Sequence, residues 1–248
     1  MTVLITGGGT GIGKGIAYKY AEKGYDVAIT YRESETGAVK VVEDIKAMGR
    51  KAVMINADLS KYDEIINLFK EYRKHFDSLD VFINNAGVTK KASFLETTEE
   101  IFDEMCNVDF KGAYFCMQQA AKLMIENKTE GNIIVISSNN AEAVFADVSV
   151  YASTKAAVNK LVKHTAIELA KYNIRVNSVA PGWTDTGASR LDAKEDTYYK
   201  IPLKKWTTPE EVAESCLYLT SAKSVTGTTL VIDNGALLVS DKRERYGF

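Results

Sequence analysis

The chain has 248 residues, 46% apolar and 26% charged, with 31 basic against 33 acidic side chains and a formal net charge of −2. A chain of this length buries most of the surface it exposes when unfolded, so it needs no disulfide or metal to fold, and its composition excludes collagen, coiled coil and disorder. Only the short run Lys242-Arg243-Glu244-Arg245 breaks the charge balance, leaving no electrostatic footprint for nucleic acid or an anionic membrane; a small molecule is the expected partner. Cys106, Cys116 and Cys216 are odd in number and lack CxxC or His neighbours, which reads as buried thiols in a reducing compartment and no metal site. Thr2 to Ile5 already reads as a strand, so no signal or transit peptide is expected, and no apolar run approaches the ~20 residues of a membrane span. The expected location is cytoplasmic.

In chain order, seven short apolar or β-branched runs predict strands: Val3 to Ile5, Val27 to Tyr31, Ala52 to Ile55, Val81 to Ile83, Ile133 to Ile136, Arg175 to Val179 and Leu230 to Ile232. Between them apolar residues recur at helical spacing, as in Ile65, Leu68, Phe69 and Tyr72, or Val158, Leu161, Val162 and Ile167. Alternation of this kind predicts an α/β fold, a single doubly wound parallel sheet of about seven strands covered on both faces. No linker or composition shift divides it, so residues 1–248 are expected to form one domain. Pro181, Pro202 and Pro209 all fall in residues 181–209, which reads as an irregular flap; residues 236–248 read as a C-terminal tail.

The first strand runs into Thr6-Gly7-Gly8-Gly9-Thr10-Gly11-Ile12-Gly13, followed by a helical pattern. Glycines there permit a tight turn and close approach of backbone to a pyrophosphate, while the helix N-terminus offers unpaired N–H groups to the anion. Tyr151 and Lys155 lie four residues apart in a helical pattern and so share a face. An ammonium beside a phenol stabilises the phenolate, the property wanted in a general acid for a carbonyl oxygen. Ser138 offers a hydrogen bond to the same oxygen. With only His75 and His164 in the chain, a histidine-based metal site or a Ser-His-Asp triad has almost no material.

The glycine spacing is Gly-x-x-x-Gly-x-Gly, and it is followed in order by Asn84-Asn85-Ala86-Gly87, Ile136-Ser137-Ser138, Tyr151-Ala152-Ser153-Thr154-Lys155 and Asn177-Ser178-Val179-Ala180-Pro181-Gly182. This series, spanning nearly the whole chain, resembles the classical short-chain dehydrogenase/reductase family, with its Rossmann-like fold. The resemblance implies that Ser138, Tyr151 and Lys155 act on the substrate oxygen, with Lys155 also holding the nicotinamide ribose. It also implies that Gly7, Gly9, Thr10, Gly11, Ile12 and Gly13, then Asp58 and Leu59, Asn85, Ala86 and Gly87, and finally Pro181, Gly182, Thr184 and Thr186 touch the dinucleotide. Where the family carries an asparagine in a stretch like Asn-Leu-Lys-Gly, this chain has Asp109-Phe110-Lys111-Gly112. Asp109 is therefore expected in the proton relay in the asparagine's place; Asn107, two residues away on a helix, faces elsewhere.

Cofactor choice is read at the end of the second strand, where an acidic residue chelates the ribose of NAD and an arginine accommodates the 2′-phosphate of NADP. Tyr31 stands where the NAD-specific members carry aspartate, and Arg32 follows, which predicts NADP(H); Glu33 keeps NAD(H) open as the lesser choice. Asp58 is also a candidate cap of the next helix. Family resemblance puts the substrate between residues 139–150 and the flap, with Asn140 and Glu142 as candidate polar contacts and Trp183 as an apolar wall or a packing residue. It also implies a homotetramer or homodimer built on helices at roughly Glu99 to Asn127 and Val150 to Tyr172. Tyr246 and Phe248 are expected to pack across a subunit interface. The expected function is NADP(H)-dependent hydride transfer between the nicotinamide and a carbonyl or secondary alcohol. The alternatives are a sugar or polyol dehydrogenase working oxidatively and a non-catalytic dinucleotide-binding regulator, the latter favoured by Asp109.

Overall fold

The computed structural model describes residues 1–187 and 200–239. Seven strands, β1 (Thr2–Ile5), β2 (Asp26–Tyr31), β3 (Ala52–Asn56), β4 (Val81–Asn84), β5 (Asn132–Ile136), β6 (Arg175–Pro181) and β7 (Thr229–Ile232), form one sheet in the order β3-β2-β1-β4-β5-β6-β7. Every pairing is parallel. The helices are α1 (Gly11–Glu22), α2 (Glu35–Ala47), α3 (Tyr62–Arg73), α4 (Glu99–Met105), α5 (Ala113–Glu126), α6 (Ser149–Leu169) and α7 (Pro209–Ser221). Among the described residues no helix is long and apolar enough to cross a membrane.

The strands are continuous apolar runs because both faces of the sheet are covered. Leu4, Phe82, Ile133, Val135 and Val176 pack into one core with residues of α3, α5 and α6. Val3, Ile5, Val27, Ile29, Ile83, Ile134 and Val179 point the other way, into a core shared with α1, α2 and α7. Strand order reverses between β1 and β4, whose neighbours β2 and β5 lie on opposite sides; at such a switch point the loops leaving the carboxyl ends part and leave a crevice.

Two local departures from the sequence reading have physical causes. The helix expected from Glu99 to Asn127 is continuous but widened, with α4 passing through a π-helical stretch, Cys106–Gly112, into α5. In that stretch Val108, Asp109 and Gly112 are buried, whereas Asn107 is only part-buried, so the aspartate occupies the inner face. Pro209, assigned to the irregular flap, is the first residue of α7, behind a capping box in which Thr208 and Glu211 satisfy each other's backbone N–H groups. Proline is excluded from helix interiors, not from the first turn, where its missing N–H costs nothing. The base of the flap is pinned by bonds from Thr207 N to Trp183 O (2.8 Å) and from Asp185 N to Thr207 O (2.8 Å). The middle of the flap and the tail with Tyr246 and Phe248 lie outside the described residues.

Candidate active site

At the crevice, side-chain bonds tie three strand ends together. Thr6 Oγ1 accepts from the backbone N–H groups of Asn85 (2.9 Å) and Ala86 (2.9 Å), and Asn85 Nδ2 donates back to Thr6 O (2.9 Å) and Gly7 O (3.1 Å). Gly7 N donates to Thr30 Oγ1 at 3.0 Å. Gly7 itself has φ +66°, a conformation side chains disfavour. A Cβ on Gly13 would lie 2.2 Å from Gly7 O and 2.6 Å from Asn85 Nδ2, so only glycine lets α1 come this close to the turn. Thr10 precedes α1 without a side-chain capping bond, and no acidic residue sits in the first turn. The N–H groups of that end are therefore left for an anion.

The resulting cleft, about 510 Å³, is lined by Gly7, Thr10, Gly11, Ile12, Tyr31, Arg32, Glu33, Asp58, Leu59, Asn85, Ala86, Gly87 and Thr186 among the residues singled out from sequence. Gly13 sits behind it as packing, and a Cβ on Gly9 would meet Ser34 and the backbone of Ala38. Thr30, Ser34 and Val88 also line the cleft and were not singled out, nor was Thr6 behind it. Thr6 is the first polar residue after β1, which was the available signal; the rest are placed by strand pairing.

At the end of β2 the half-exposed Arg32 guanidinium pairs with Glu33 at 2.9 Å. Its backbone is fixed by Asn56 Nδ2 donating to Arg32 O at 2.9 Å. Asp58 does not cap the following helix, which starts behind Lys61; its carboxylate instead accepts from Ser60 N (3.0 Å) and Ser60 Oγ (2.7 Å), folding its own loop.

Across the crevice α6 is locked onto the end of β5. Ser137 Oγ donates to Lys155 O at 3.4 Å and Lys155 Nζ donates to Ile136 O at 3.4 Å, which fixes the helix carrying Tyr151 and Lys155 against the strand end carrying Ser138. Lys155 Nζ lies 5.4 Å from the centroid of the Tyr151 ring. Lys155 and Ser138 are buried, and Tyr151 is half-buried. Asp109 Oδ1 accepts from Val88 N at 2.8 Å, while Oδ2 is buried with no hydrogen-bond partner. The place a Cβ on Gly87 would take is 3.0 Å from Asp109 Oδ1 and 3.2 Å from Lys155 Nζ, so the aspartate and the lysine both approach Gly87 at the edge of the cleft. Burial pushes the Asp109 carboxyl above its ordinary range, against the opposing pull of the Lys155 charge and the Val88 N–H.

On the substrate side Asn140 Nδ2 and the Asn140 backbone N both donate to Ser138 Oγ, at 3.2 and 3.1 Å. Glu142 is exposed. Trp183 meets Phe145 edge to face, centroids 5.4 Å apart at 75°, joining the 139–150 segment to the flap. Pro181 ends β6; Gly182 N donates to Ile232 O at 3.2 Å and Thr184 Oγ1 to Gly182 O at 3.0 Å, so these three shape the flap base, and of the four flap residues only Thr186 lines the cleft. The thiols of Cys116 and Cys216 are pushed well up by burial and take no part in the site.

A family model described as enoyl-(acyl carrier protein) reductase matches residues 7–236. The 3-oxoacyl-acyl-carrier-protein reductase FabG of Staphylococcus epidermidis is 37% identical over 239 residues, covering 94% of this chain and 98% of that protein. The chain belongs to the classical short-chain dehydrogenase/reductase family. As a member it is an oxidoreductase of the hydride-transferring type. This short-chain dehydrogenase/reductase is also similar to the L-rhamnose 1-dehydrogenase (NAD(P)(+)) of a Sphingomonas species, at 34% identity over 94% of this chain and 95% of that protein. Among solved structures, a short chain dehydrogenase from Burkholderia cenocepacia in complex with NADP superimposes with a TM-score of 0.89, at 32% identity over 95% of this chain and 97% of that one.

Proposed function

We propose that this enzyme uses NADP(H) to interconvert a carbonyl and a secondary alcohol, with Ser138, Tyr151 and Lys155 acting on the substrate oxygen. The observation that carries this reading is the pair of bonds that lock α6 onto β5, from Ser137 Oγ to Lys155 O and from Lys155 Nζ to Ile136 O, since they hold all three side chains in one fixed frame beside the cleft. The free N-terminal N–H groups of α1, brought up to the turn by the close approach at Gly13, suit a pyrophosphate, so the glycine loop fits a dinucleotide. When bound, the nicotinamide supplies or accepts the hydride. Tyr151 gives its phenolic proton to the carbonyl oxygen during reduction and takes it back during oxidation. Ser138 donates a hydrogen bond to that oxygen, and the Lys155 ammonium favours the phenolate that Tyr151 becomes. Asp109 lies close enough to feel the charge of this ammonium, whose hydrogen bond goes to Ile136 O.

Arg32 supports NADP(H) over NAD(H): its guanidinium stands half-exposed at the rim where the adenosine ribose of a bound dinucleotide would lie, and Glu33, the candidate ribose ligand, is turned onto it. The Burkholderia relative bound to NADP is in keeping with this choice. The L-rhamnose relative favours a second reading, oxidation of a sugar or polyol, with the same residues run in reverse. Initial rates of NADPH and NADH oxidation against ketones, keto-sugars and acyl thioesters, with NADP⁺ reduction by sugars beside them, decide the matter. Turnover that prefers NADPH and a carbonyl is expected. Preference for NADH overturns the Arg32 assignment, and turnover only with sugars and oxidised cofactor selects the second reading.

Homodimer or homotetramer assembly is part of the same proposal. Phe94, Phe102, Phe110 and Tyr114 expose 83, 50, 38 and 41% of their surface along or before α4 and α5, more aromatic surface than a lone subunit ordinarily leaves in water. Sedimentation equilibrium showing a monomer at micromolar concentration would end it.

A further inference from the structure

Ser138 presents a hydroxyl in which the two acceptor positions are filled by a single residue. A serine hydroxyl carries one proton to donate and two lone pairs to accept with. Here the backbone N–H of Asn140 donates to Oγ at 3.1 Å and the Asn140 side-chain amide donates at 3.2 Å. The serine is buried. Among the described residues nothing accepts the hydroxyl proton in return. Asn140 Oδ1, on the far side of the same amide, is buried without a partner. The three-residue turn Asn139–Ala141 that carries it packs on α6, and Ala143 N closes it by donating to Asn139 O at 2.8 Å.

Resting on the carbonyl reading above, we propose that Asn140 is a positioning residue that makes the Ser138 hydroxyl a pure donor. With both lone pairs occupied, the serine has no position left to accept a proton from the substrate or from Tyr151. Its O–H is committed to donating to the substrate oxygen, a carbonyl, the alkoxide that develops from it, or the alcohol whose own proton goes to Tyr151. Proton exchange then falls to Tyr151 alone: its O–H bond breaks as the substrate O–H bond forms, while Ser138 keeps its proton throughout. Such a donor is fixed before the substrate arrives and needs no reorientation as charge develops on the oxygen, the condition under which one hydrogen bond contributes most to a rate. An amide turned the other way would offer its oxygen to Ser138 instead, absorb the hydroxyl proton, and leave the serine nothing to give.

A double-mutant cycle tests this, with kcat and KM measured for the carbonyl substrate in Asn140→Asp, Asn140→Ala, Ser138→Ala and the two combinations with Ser138→Ala. Asp replaces the donating Nδ2 by an acceptor of the same shape, which draws the serine proton away from the substrate; kcat is expected to fall about 10- to 100-fold with little change in KM. Asn140→Ala keeps the backbone donor and is expected to lose less than Asp. In the Ser138→Ala background both changes should have almost no further effect, because Asn140 acts through the serine. The proposal is overturned by an Asn140→Asp enzyme as active as the parent, by an alanine variant that is the worse of the two, or by losses that multiply with that of Ser138→Ala. Should the Asp variant not fold, the alanine cycle decides alone, coupling supporting the proposal and additivity ending it. A parent enzyme that turns over no carbonyl removes the functional reading and this inference together, whereas a parent that does so with additive losses removes only the inference.

Discussion

The two walls of the crevice are built by different means. On the wall formed by β1, β2 and β4 the ligand surface is largely backbone: the N–H groups of the Gly7–Gly13 turn and the start of α1, held by Thr6, Thr30 and Asn85. On the wall formed by β5, α6 and the flap base the surface is side chain: Ser138 under Asn140, Lys155 reaching back to Ile136, and Phe145 against Trp183. A backbone wall is dictated by a contiguous motif and recognises what all dinucleotides share. A side-chain wall is assembled from distant segments and is free to select. Removing the Tyr151 hydroxyl from the second wall should therefore change chemistry while leaving cofactor binding intact, and a change at the rim of the first should alter cofactor choice while leaving chemistry intact.

The largest effect is expected from Tyr151→Phe, which removes the phenolic proton and almost nothing else from the half-buried ring. Loss of a positioned general acid costs about 10² to 10⁴ in rate, so kcat should collapse while NADPH affinity, read by the fluorescence of the bound nucleotide, stays within about twofold. A variant that keeps its rate would mean the site does not act through Tyr151, and one that loses nucleotide affinity in proportion would mean the two walls are not separable.

Arg32→Ala strikes the other wall and should act an order of magnitude more weakly. Hydrogen bonds to charged groups contribute about 1.5–3 kcal/mol, and the guanidinium is 42% exposed and already shared with Glu33, so the low end applies. KM for NADPH should rise about tenfold, KM for NADH should hardly move, and the difference should shrink as salt is added. An equal loss with both nucleotides would show that Arg32 supports the fold of the rim and not the choice of cofactor.

The same contrast governs what was legible in the sequence. All seven strands were readable because burial on both faces writes itself as unbroken apolar runs, the π-helical widening between α4 and α5 was not, and the glycine turn was readable because Gly7 and Gly13 are imposed locally, one by φ and one by the distance to Gly7 O. Asn140 was readable only as a polar residue near the substrate; that its amide is used on Ser138 depends on the three-residue turn it sits in, which has no periodicity to betray it. Thr6 was passed over because a threonine at a strand end has no distinctive spacing, although it accepts from two N–H groups just beyond β4, 79 and 80 residues away. Pro209 misled because proline's rule differs between the interior and the first turn of a helix.

Asp109 belongs to neither wall and gives the smallest and most particular effect. It lies at the seam, accepting from Val88 on the cofactor side and approaching Lys155 on the other, at the position where the family resemblance implies an asparagine. Burial raises its carboxyl above the ordinary range, which unfolded chains keep at about 4. From about pH 4 up to the folded value, the folded protein therefore binds the proton that the unfolded chain has already released. Stability is then lost with rising pH across that window and stays reduced above it. Asp109→Asn removes this penalty, so its melting temperature should equal that of the parent below about pH 4, draw ahead through the weakly acidic range, and keep a constant lead at neutral pH. A lead that is the same at every pH would mean the asparagine merely packs better. A lead that reverses at neutral pH would mean the attraction between the ionised carboxylate and Lys155 outweighs the cost of burying it, and the seam would then be held together by that ion pair.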